Sequence, residues 1–272
     1  MSLPSRKPKG WLSEMHLTVV TSCFNEAPFV PWFLRHWRGL ADRIVVYDDH
    51  STDQTDELLR AGGAEVRVWQ GEDGIDETMR LKWAHDLVGE FINQTHWLAV
   101  VDFDELLFGP YKTRDELRRV LDDELTRGTE VIQTFGFNMT GREGHEGLPA
   151  NTDNRQIWEH IPYGVFAPVY SKPIVVRPGT RLGWSRGRHK LEGCEPKLSL
   201  GAKLKLLHFR YLGPGYTAAR NARNLARCGL KSGDKAPAWS CEPKRNSAQQ
   251  EGTALWSVRA QRESFNVLEM PI

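Results

Sequence analysis

The sequence of 272 residues lacks a clear excess of either charge, since 36 lysines and arginines are set against 35 aspartates and glutamates. Proteins whose main partner is nucleic acid usually carry a strong basic excess, so no nucleic-acid partner is expected. An apolar run long enough to cross a bilayer is also missing, which leaves peripheral contact as the membrane role to consider. No apolar core follows the basic first ten residues, so they do not predict a secretory signal.

Cysteine is scarce, and glycine is missing from one informative place. The four cysteines are Cys23, Cys194, Cys228 and Cys241. They form no CxxC pair and no zinc spacing, which predicts reduced thiols and a cytoplasmic location.

The stretch TSCFNEAP, at the end of the first predicted strand, contains no glycine. A dinucleotide-binding dehydrogenase needs a Gly-x-Gly-x-x-Gly turn there, so this class is excluded.

What the sequence does contain is a regular alternation of strand-like and helix-like segments in its first half. Strands are predicted at residues 15–24, 42–49, 64–70 and 96–104, and helices at 28–40, 51–63 and 76–92. In the last of these helices Met79, Trp83, Leu87 and Phe91 are spaced four apart and predict the buried face. The order of elements predicts an α/β fold with a mainly parallel sheet flanked by helices.

The second half of the sequence is less regular. A capped amphipathic helix is predicted at 113–128, a strand at 130–139, another strand at 204–213 and a short helix at 215–229. The loop between them, residues 140–156, is long, glycine-rich and acidic. Long loops of this kind often bind ligands, so acceptor recognition is expected in this irregular half.

Acidic and amide side chains gather at the ends of three predicted strands. They are Asn25 and Glu26 after the first strand, Asp48 and Asp49 after the second, and Asp102, Asp104 and Glu105 after the fourth. Ligands of such sheets bind in the crevice beyond the carboxyl ends of the strands. Each cluster alone also fits turn and cap chemistry, which is the preferred interpretation for residues 51–55. The three clusters together predict one convergent site.

Asp102 and Asp104 carry the most specific chemistry. Residues two apart on an extended segment point the same way, so their carboxylates are expected together, with Phe103 on the other side. Two hard oxygen ligands can hold Mg²⁺ or Mn²⁺ and leave positions free for phosphate oxygens.

Three stretches of the sequence together resemble a known family. TVVTSCFNEAPFVPWFLRHW, IVVYDDHSTDQTDELL and WLAVVDFDELLF are similar to the nucleotide-sugar half of family 2-like glycosyltransferases of the GT-A fold. The sequence most resembles the small bacterial branch whose acidic motif reads Asp-x-Asp-Glu. The resemblance is specific over residues 16–110, and weaker similarity follows at 170–179, 187–191 and 204–213.

The resemblance implies a metal-dependent enzyme that moves a sugar from a nucleoside-diphosphate sugar, with a UDP-linked donor expected, to an acceptor hydroxyl. The acceptor would be a glycan, a lipid-linked molecule or a small molecule. One GT-A-like, Rossmann-type domain, 1–272, is expected, with a nucleotide-sugar-binding half at 16–110, an acceptor-side half at 111–215 and a C-terminal helical extension at 216–272.

The resemblance also implies roles for individual residues. Thr21, Asn25 and Glu26 would line the nucleotide pocket, Asp48 would contact the base with Asp49 beside it, Asp102 and Asp104 would form the metal and diphosphate motif, and Glu105 would be a supporting acid. Carboxylates alone would repel a diphosphate, so a divalent cation is expected to bridge them. Arg80 and Lys82 either add positive charge near the phosphates or form a solvated helix face.

Two histidines are candidates for the third metal ligand. His208 interrupts the apolar stretch LKLLHFRYLG, which is similar to the closing strand of several GT-A enzymes where a histidine completes the metal shell. The alternative for His208 is a satisfied core residue. His189 lies in the basic stretch RGRHKL, which also suits phosphate contact.

The sequence does not identify the catalytic base of the acceptor side. The carboxylates that could take the acceptor proton are Glu143, Glu146, Asp153, Glu192 and Glu195, and the sequence does not choose among them. Glu192 joins Asp104 and Glu105 in the predicted catalytic set. Trp158 and Trp184 are possible sugar platforms. The Gln-x-x-Arg-Trp signature of processive synthases is absent, which argues against polymer extrusion.

The helix at 215–229 carries arginines at 220, 223 and 227, which fall on one face. A solvated basic stripe is the first interpretation, and contact with a diphosphate or an anionic acceptor is the second.

Two other functions of the whole protein stay open as alternatives. A sugar nucleotidyltransferase would also use Asp and Mg²⁺ but needs a glycine-rich phosphate loop near its start, and a non-catalytic nucleotide-sugar-binding module could lose the metal motif.

Overall fold

A computed structural model describes residues 16–70, 77–227 and 259–271. The strands are β1 (Leu17–Cys23), β2 (Arg43–Asp48), β3 (Glu65–Val68), β4 (Trp97–Val100), β5 (Glu105–Phe108), β6 (Val131–Gln133), β7 (Phe135–Met139), β8 (Tyr163–Phe166), β9 (Pro173–Val176), β10 (Leu198–Ser199), β11 (Lys205–His208) and β12 (Phe265–Asn266). The helices are α1 (Val30–Leu40), α2 (Thr55–Ala61), α3 (Glu77–Glu90), α4 (Arg114–Thr126), α5 (Ile157–His160) and α6 (Pro214–Arg227).

The larger of two sheets has seven strands in the order β10-β6-β9-β4-β1-β2-β3. Its central strand β1 pairs in parallel with β2 on one side and β4 on the other, and β2 pairs in parallel with β3. The chain therefore runs outward through β2 and β3 and then returns to the other side of β1. This reversal of strand order creates the crevice where α/β sheets bind ligands. The predicted α/β fold, with a mainly parallel sheet flanked by helices, is confirmed.

The smaller sheet has five strands in the order β12-β8-β7-β11-β5. It gives the half that was predicted to be irregular a regular frame, because β7, β8 and β11 all come from residues 111–215. Leu106 and Leu207 of this sheet belong to the same hydrophobic core as Val19 and Val46 of the larger sheet. One continuous core therefore fixes the position of the two sheets.

Two predicted strands differ from the observed ones where the chain passes from the larger sheet to the smaller. The segment 96–104 ends as β4 at Val100, and a turn follows in which the Glu105 N–H donates to the Asp102 carbonyl oxygen at 3.0 Å. The prediction that Asp102 and Asp104 lie on one extended segment is therefore wrong. The segment 130–139 divides in the same way at Thr134, whose hydroxyl donates to the Lys172 carbonyl oxygen at 2.8 Å.

The side chains around this turn explain why it forms. Phe103 is buried and stacks on Phe33 of α1, with ring centroids 4.3 Å apart. Leu106 and Leu107, just beyond the turn, are also buried. The predicted separation of Phe103 from the neighbouring acids is therefore seen, although a turn and not strand alternation produces it.

The predicted buried face of α3 is correct only in its second half. Leu87 and Phe91 are buried, Trp83 is half-buried, and Met79 is 43% exposed. Thr78 is exposed as well, and Arg80 is half-buried, so the apolar packing of α3 is concentrated in its later turns. None of the helices in the described ranges is long and apolar enough to span a membrane.

His36 of α1 allows a test of the core. Its ring is 1% exposed, and within the described residues neither ring nitrogen has a hydrogen-bond partner. Burial lowers its pKa from 6.5 to about 3. Below pH 6.5 the unfolded chain therefore binds a proton that the folded chain does not, and stability falls as the pH falls.

We expect His36→Leu to be more stable than the wild type at pH 5, by about 2 kcal/mol relative to the difference between the two proteins at pH 8. Urea denaturation of both proteins at the two pH values measures this. An equal difference between the proteins at both pH values would show that His36 is not held neutral.

Candidate active site

Helix α6 lies across the carboxyl ends of the three central strands. Its Arg220 contacts Glu26, which follows β1, at 2.7 Å and Asp104, which follows β4, at 2.9 Å. Arg227 contacts Asp49, which follows β2, at 2.7 Å. One helix thus joins the acids that end β1, β2 and β4, which shows that the three acidic clusters lie around one crevice.

The arginines of α6 are not a solvated stripe. The side chains of Arg220 and Arg227 are 9% and 8% exposed, and Arg223, at 27%, contacts Glu26 at 2.6 Å. Burial raises the pKa of Glu26, while Arg220 and Arg223 oppose this shift. The first interpretation of these arginines was wrong, because helix docking turns their face inward.

Asp104 and His208 form a buried pair of possible metal ligands. The His208 Nε2 lies 3.6 Å from the Asp104 Oδ2, and both side chains are almost fully buried. The His208 Nδ1 lies 2.9 Å from the side-chain oxygen of Asn138 on β7. With the Nδ1 proton donated to that oxygen, Nε2 presents its lone pair toward Asp104. Burial lowers the pKa of His208 to about 3, so its ring is neutral at neutral pH.

Two facing lone-pair donors fit a divalent cation, and the hydrogen bond that His208 donates to the Asn138 side-chain oxygen is of the kind that orients a metal-binding histidine. The Arg220 guanidinium contacts the same Asp104 oxygen and supplies positive charge there. Burial opposes ionisation of Asp104, but the positive charge of Arg220 outweighs it and lowers the pKa of Asp104. Asp104 is therefore a carboxylate at neutral pH, as a metal ligand must be.

Asp102 and Glu105 share a buried lysine that sequence analysis did not identify. Lys172, just before β9, is 1% exposed and lies 2.8 Å from the Asp102 carboxylate and 2.5 Å from the Glu105 carboxylate. Arg188 contacts the second oxygen of Asp102, whose side chain is 44% exposed. Partial burial opposes ionisation of Asp102, but Lys172 and Arg188 lower its pKa well below the usual range.

Glu105 holds the turn that contains Asp102 through a hydrogen bond. It is fully buried, and its Oε2 accepts a hydrogen bond from the Asp102 N–H at 2.9 Å. Burial and the nearby Asp102 charge raise the pKa of Glu105 to about 7. Its position suits a supporting acid that holds Asp102, because a fully buried carboxylate offers no surface to an acceptor.

Polar side chains at the ends of β1 and β2 accept hydrogen bonds from the loop after β2. Asn25 accepts a hydrogen bond from the Thr52 N–H at 2.7 Å, and Asp48 accepts one from the Ser51 N–H at 3.1 Å. Asp49 is fully buried and contacts Arg80 at 3.0 Å. Turn chemistry, preferred for residues 51–55 alone, is thus present and builds the wall of the crevice.

Other predicted residues lie elsewhere. Thr21 is fully buried within β1, and its hydroxyl contacts the Ser22 carbonyl oxygen. Lys82 is 68% exposed and pairs with Asp86, so it forms the solvated face that was its alternative. His189 contacts the Val169 carbonyl oxygen at 2.6 Å and is separated from His208 by Tyr170, which both rings contact.

The five candidate bases all have positions or partners of their own. Glu143 pairs with Arg262, Glu146 accepts the Gly215 and Tyr216 N–H groups at the start of α6, Asp153 pairs with Arg155 and His160, Glu192 pairs with Lys190, and Glu195 is exposed. Within the described residues no contact joins any of them to the acids of the crevice. The base stays unassigned.

The two tryptophans predicted as sugar platforms are packed into the protein. Trp184 is 3% exposed, stacks on His85 and donates its indole N–H to the Pro173 carbonyl oxygen at 2.8 Å. Trp158 packs edge-on against Phe108 and His36. Trp184 acts as a core side chain, the role that tryptophan most often has, and the half-buried Trp158 packs at the edge of the core.

The expectation that a metal is needed to keep the crevice acids from repelling a diphosphate assumed that these acids have no basic partners, and the structure shows that they do. Six basic residues contact the acids of the crevice, namely Arg80, Lys172, Arg188, Arg220, Arg223 and Arg227. The acids therefore do not stand without cations, and repulsion of a diphosphate is not by itself a reason for a metal. The signal that sequence analysis missed was a lysine beside an apolar run, in YSKPIVVRPG, since lysine is rarely buried unless it is paired.

Comparisons with known proteins give remote likenesses. No family model matches the sequence, and neither does any curated protein. A mannosyltransferase from Pyrobaculum calidifontis, solved with GDP-Man and Mn²⁺, aligns over 92% of this chain and 74% of its own at 14% identity and a TM-score of 0.41.

Two other solved structures align over a shorter range. Glucosyl-3-phosphoglycerate synthase from Mycobacterium tuberculosis, solved with Mn²⁺, UDP and glucosyl-3-phosphoglycerate, aligns over 48% of this chain and 50% of its own, at 19% identity and a TM-score of 0.29. A cytidylyltransferase from Leptospira borgpetersenii aligns over 44% and 53%, at 13% identity and a TM-score of 0.29. This chain thus spans about half the length of these two proteins, and its function has to be argued from its own geometry.

Proposed function

We propose that the protein is a glycosyltransferase that moves a sugar from a nucleoside-diphosphate sugar to an acceptor hydroxyl with the help of a divalent cation, Mn²⁺ or Mg²⁺. A UDP-linked donor and membership of the family 2-like, GT-A-fold enzymes belong to the same proposal and rest on the sequence resemblance. So does the division of the chain at 110 and 215, whereas a cytoplasmic location is proposed from the scarce and separate cysteines.

The observation that carries the proposal is the convergence on one crevice of acids from the ends of β1, β2 and β4. These strands flank the point where strand order reverses, which is where α/β proteins bind nucleotides. The acids alternate with buried cations, as at the contact of Arg220 with both Glu26 and Asp104. Such a crevice offers ligands for a cation and positive charge for phosphates.

Asp104 and His208 would hold the cation. Asp102 would join them only by leaving Lys172 and Arg188, because its oxygens do not lie within 4.8 Å of the other two ligand atoms. When bound, the cation supplies positive charge to the diphosphate that leaves the sugar. Asn138 keeps the His208 ring in the tautomer that presents Nε2. Glu105 and Lys172 fix the turn that carries Asp102.

Calorimetric titration of UDP into the protein tests the proposal. We expect binding with Mn²⁺ and markedly weaker binding with EDTA, because the metal joins the carboxylates to the phosphates. His208→Ala should remove the effect of Mn²⁺, whereas His189→Ala should keep it. Equal UDP affinity with Mn²⁺ and with EDTA would remove the metal role of Asp104 and His208.

A second measurement distinguishes sugar transfer from nucleotidyl transfer. A glycosyltransferase releases UDP from a UDP-sugar, at a slow rate even to water. A nucleotidyltransferase needs a nucleoside triphosphate and a sugar phosphate, and it releases pyrophosphate. Pyrophosphate release without UDP release would replace the proposal by this alternative, and binding without either product would favour a non-catalytic module.

A further inference from the structure

Two histidines and an aspartate lie together at the end of the larger sheet opposite to the crevice. His16 immediately precedes β1, His96 immediately precedes β4, and Asp122 lies on α4. Their ligand atoms are all within 4.8 Å of one another. Within the described ranges, this is the set of three such side chains that meets this distance.

The fold positions both histidines through backbone contacts. Leu17 of β1 is in register with Trp97 of the parallel strand β4, so the residues before them are neighbours. The Trp97 N–H donates to the His16 carbonyl oxygen at 2.9 Å, and the His16 N–H donates to the Asp42 carboxylate at 2.9 Å. The His16 backbone is thus held on both sides, and the two histidines are fixed side by side.

The side chains have the separations of metal ligands. The His16 Nε2 lies 3.5 Å from the Asp122 Oδ1, and the two imidazole rings meet edge to face with centroids 5.1 Å apart. Ligands about 2.0–2.2 Å from a tetrahedral zinc ion lie about 3.4 Å from each other. Two imidazole nitrogens and one carboxylate oxygen are ligands that zinc accepts, with water in the fourth position.

We propose that His16, His96 and Asp122 form a zinc-binding site separate from the active site. Imidazole nitrogen selects zinc over Mg²⁺, which prefers oxygen ligands. Since β1 has seven residues, the two sites lie roughly 20 Å apart along the sheet. A zinc ion there joins β1, β4 and α4, so it stabilises the folded chain and has no contact with the donor crevice.

The test is a calorimetric titration of Zn²⁺ into the full chain without an affinity tag, at pH 7.5, with circular dichroism to verify folding. The variants are Asp122→Asn and His16→Gln. Asp123→Asn is the matched control, because Asp123 is the next residue of α4, is also exposed and undergoes the same loss of charge. The background is His208→Ala, which removes the second histidine site from the titration.

We expect Asp122→Asn and His16→Gln each to weaken Zn²⁺ binding by more than about tenfold, and Asp123→Asn to leave it unchanged. Zn²⁺ should also raise the melting temperature of the control and not that of the two site variants. The proposal is overturned if all three variants bind Zn²⁺ alike, since the affinity then does not come from these side chains.

Discussion

Asp104→Asn should reduce the release of UDP from a UDP-sugar in the presence of Mn²⁺ by about a hundredfold or more, the loss typical of a missing charge-stabilising group. The Asp104 carboxylate faces the His208 Nε2, and an amide cannot supply the negative charge that a divalent cation requires. Folding should persist, because asparagine has the same shape and Arg220 keeps its contact with Glu26 at 2.7 Å. A panel of UDP-sugars with detection of free UDP measures the rate.

Asp86→Asn is the control for this experiment. Asp86 is 63% exposed and pairs with Lys82 on the outer face of α3, so its loss of charge should leave the rate unchanged. Wild-type activity in Asp104→Asn, with Asp86→Asn also active, would show that the buried pair of Asp104 and His208 does not hold the cation.

Lys172→Met should lower the free energy of unfolding by about 3 kcal/mol at pH 8, because it leaves a buried charge without its partner. Lys172 and Glu105 are both almost fully buried and 2.5 Å apart, and Glu105 carries its charge at that pH. Urea denaturation measures the difference from the wild type.

The pH dependence of this difference follows from Glu105. Its pKa of about 7 in the folded chain lies above its ordinary 4.5, so the folded chain holds a proton that the unfolded chain has lost. Stability contributed by the protonated form is therefore lost as the pH rises through 4.5 to 7. Without Lys172 the charged form is opposed more strongly, so Lys172→Met should be less damaging at pH 5.5 than at pH 8.

Two further variants separate a lost ion pair from a general packing defect. Lys190→Met removes an exposed lysine that pairs with Glu192, and it should change stability little. Glu105→Gln introduced into Lys172→Met should recover part of the loss at pH 8. No recovery would indicate that the lysine stem, and not its charge, stabilises the turn.

Individual helices and strands were predictable because their signals are local. The β-branched run of β1 and the Thr113 cap of α4, whose side chain accepts from the Glu116 N–H, are read from neighbours in the sequence. The transfer of a strand from one sheet to another is not local. The segment 130–139 keeps one apolar pattern across the change, and the segment 96–104 runs without a break from β4 into the following turn. Only packing therefore reveals that Thr134 and Asp102 lie where the chain leaves the larger sheet.

The residues of the site also fall into some that the sequence predicts and others that it does not. Acids at strand ends were visible in the sequence, because the strand pattern fixes which edge of the sheet they occupy. Their partners were not, because Lys172 lies 70 residues from Asp102 and no periodicity relates the two. The spacing of the α6 arginines gave their common face, but its direction depends on how the helix docks against Glu26 and Asp49.

The contacts of α6 also set an order of events during synthesis of the chain. Glu26 leaves the ribosome 194 residues before Arg220, its partner in the folded protein. Until then the strands that end in Glu26, Asp49 and Asp104 carry acids that cannot be buried without their arginines, since a lone buried charge is costly. The N-terminal half is therefore expected to wait, incompletely closed, for translation of α6, and exposure to chaperones over that interval is built into the order of the sequence.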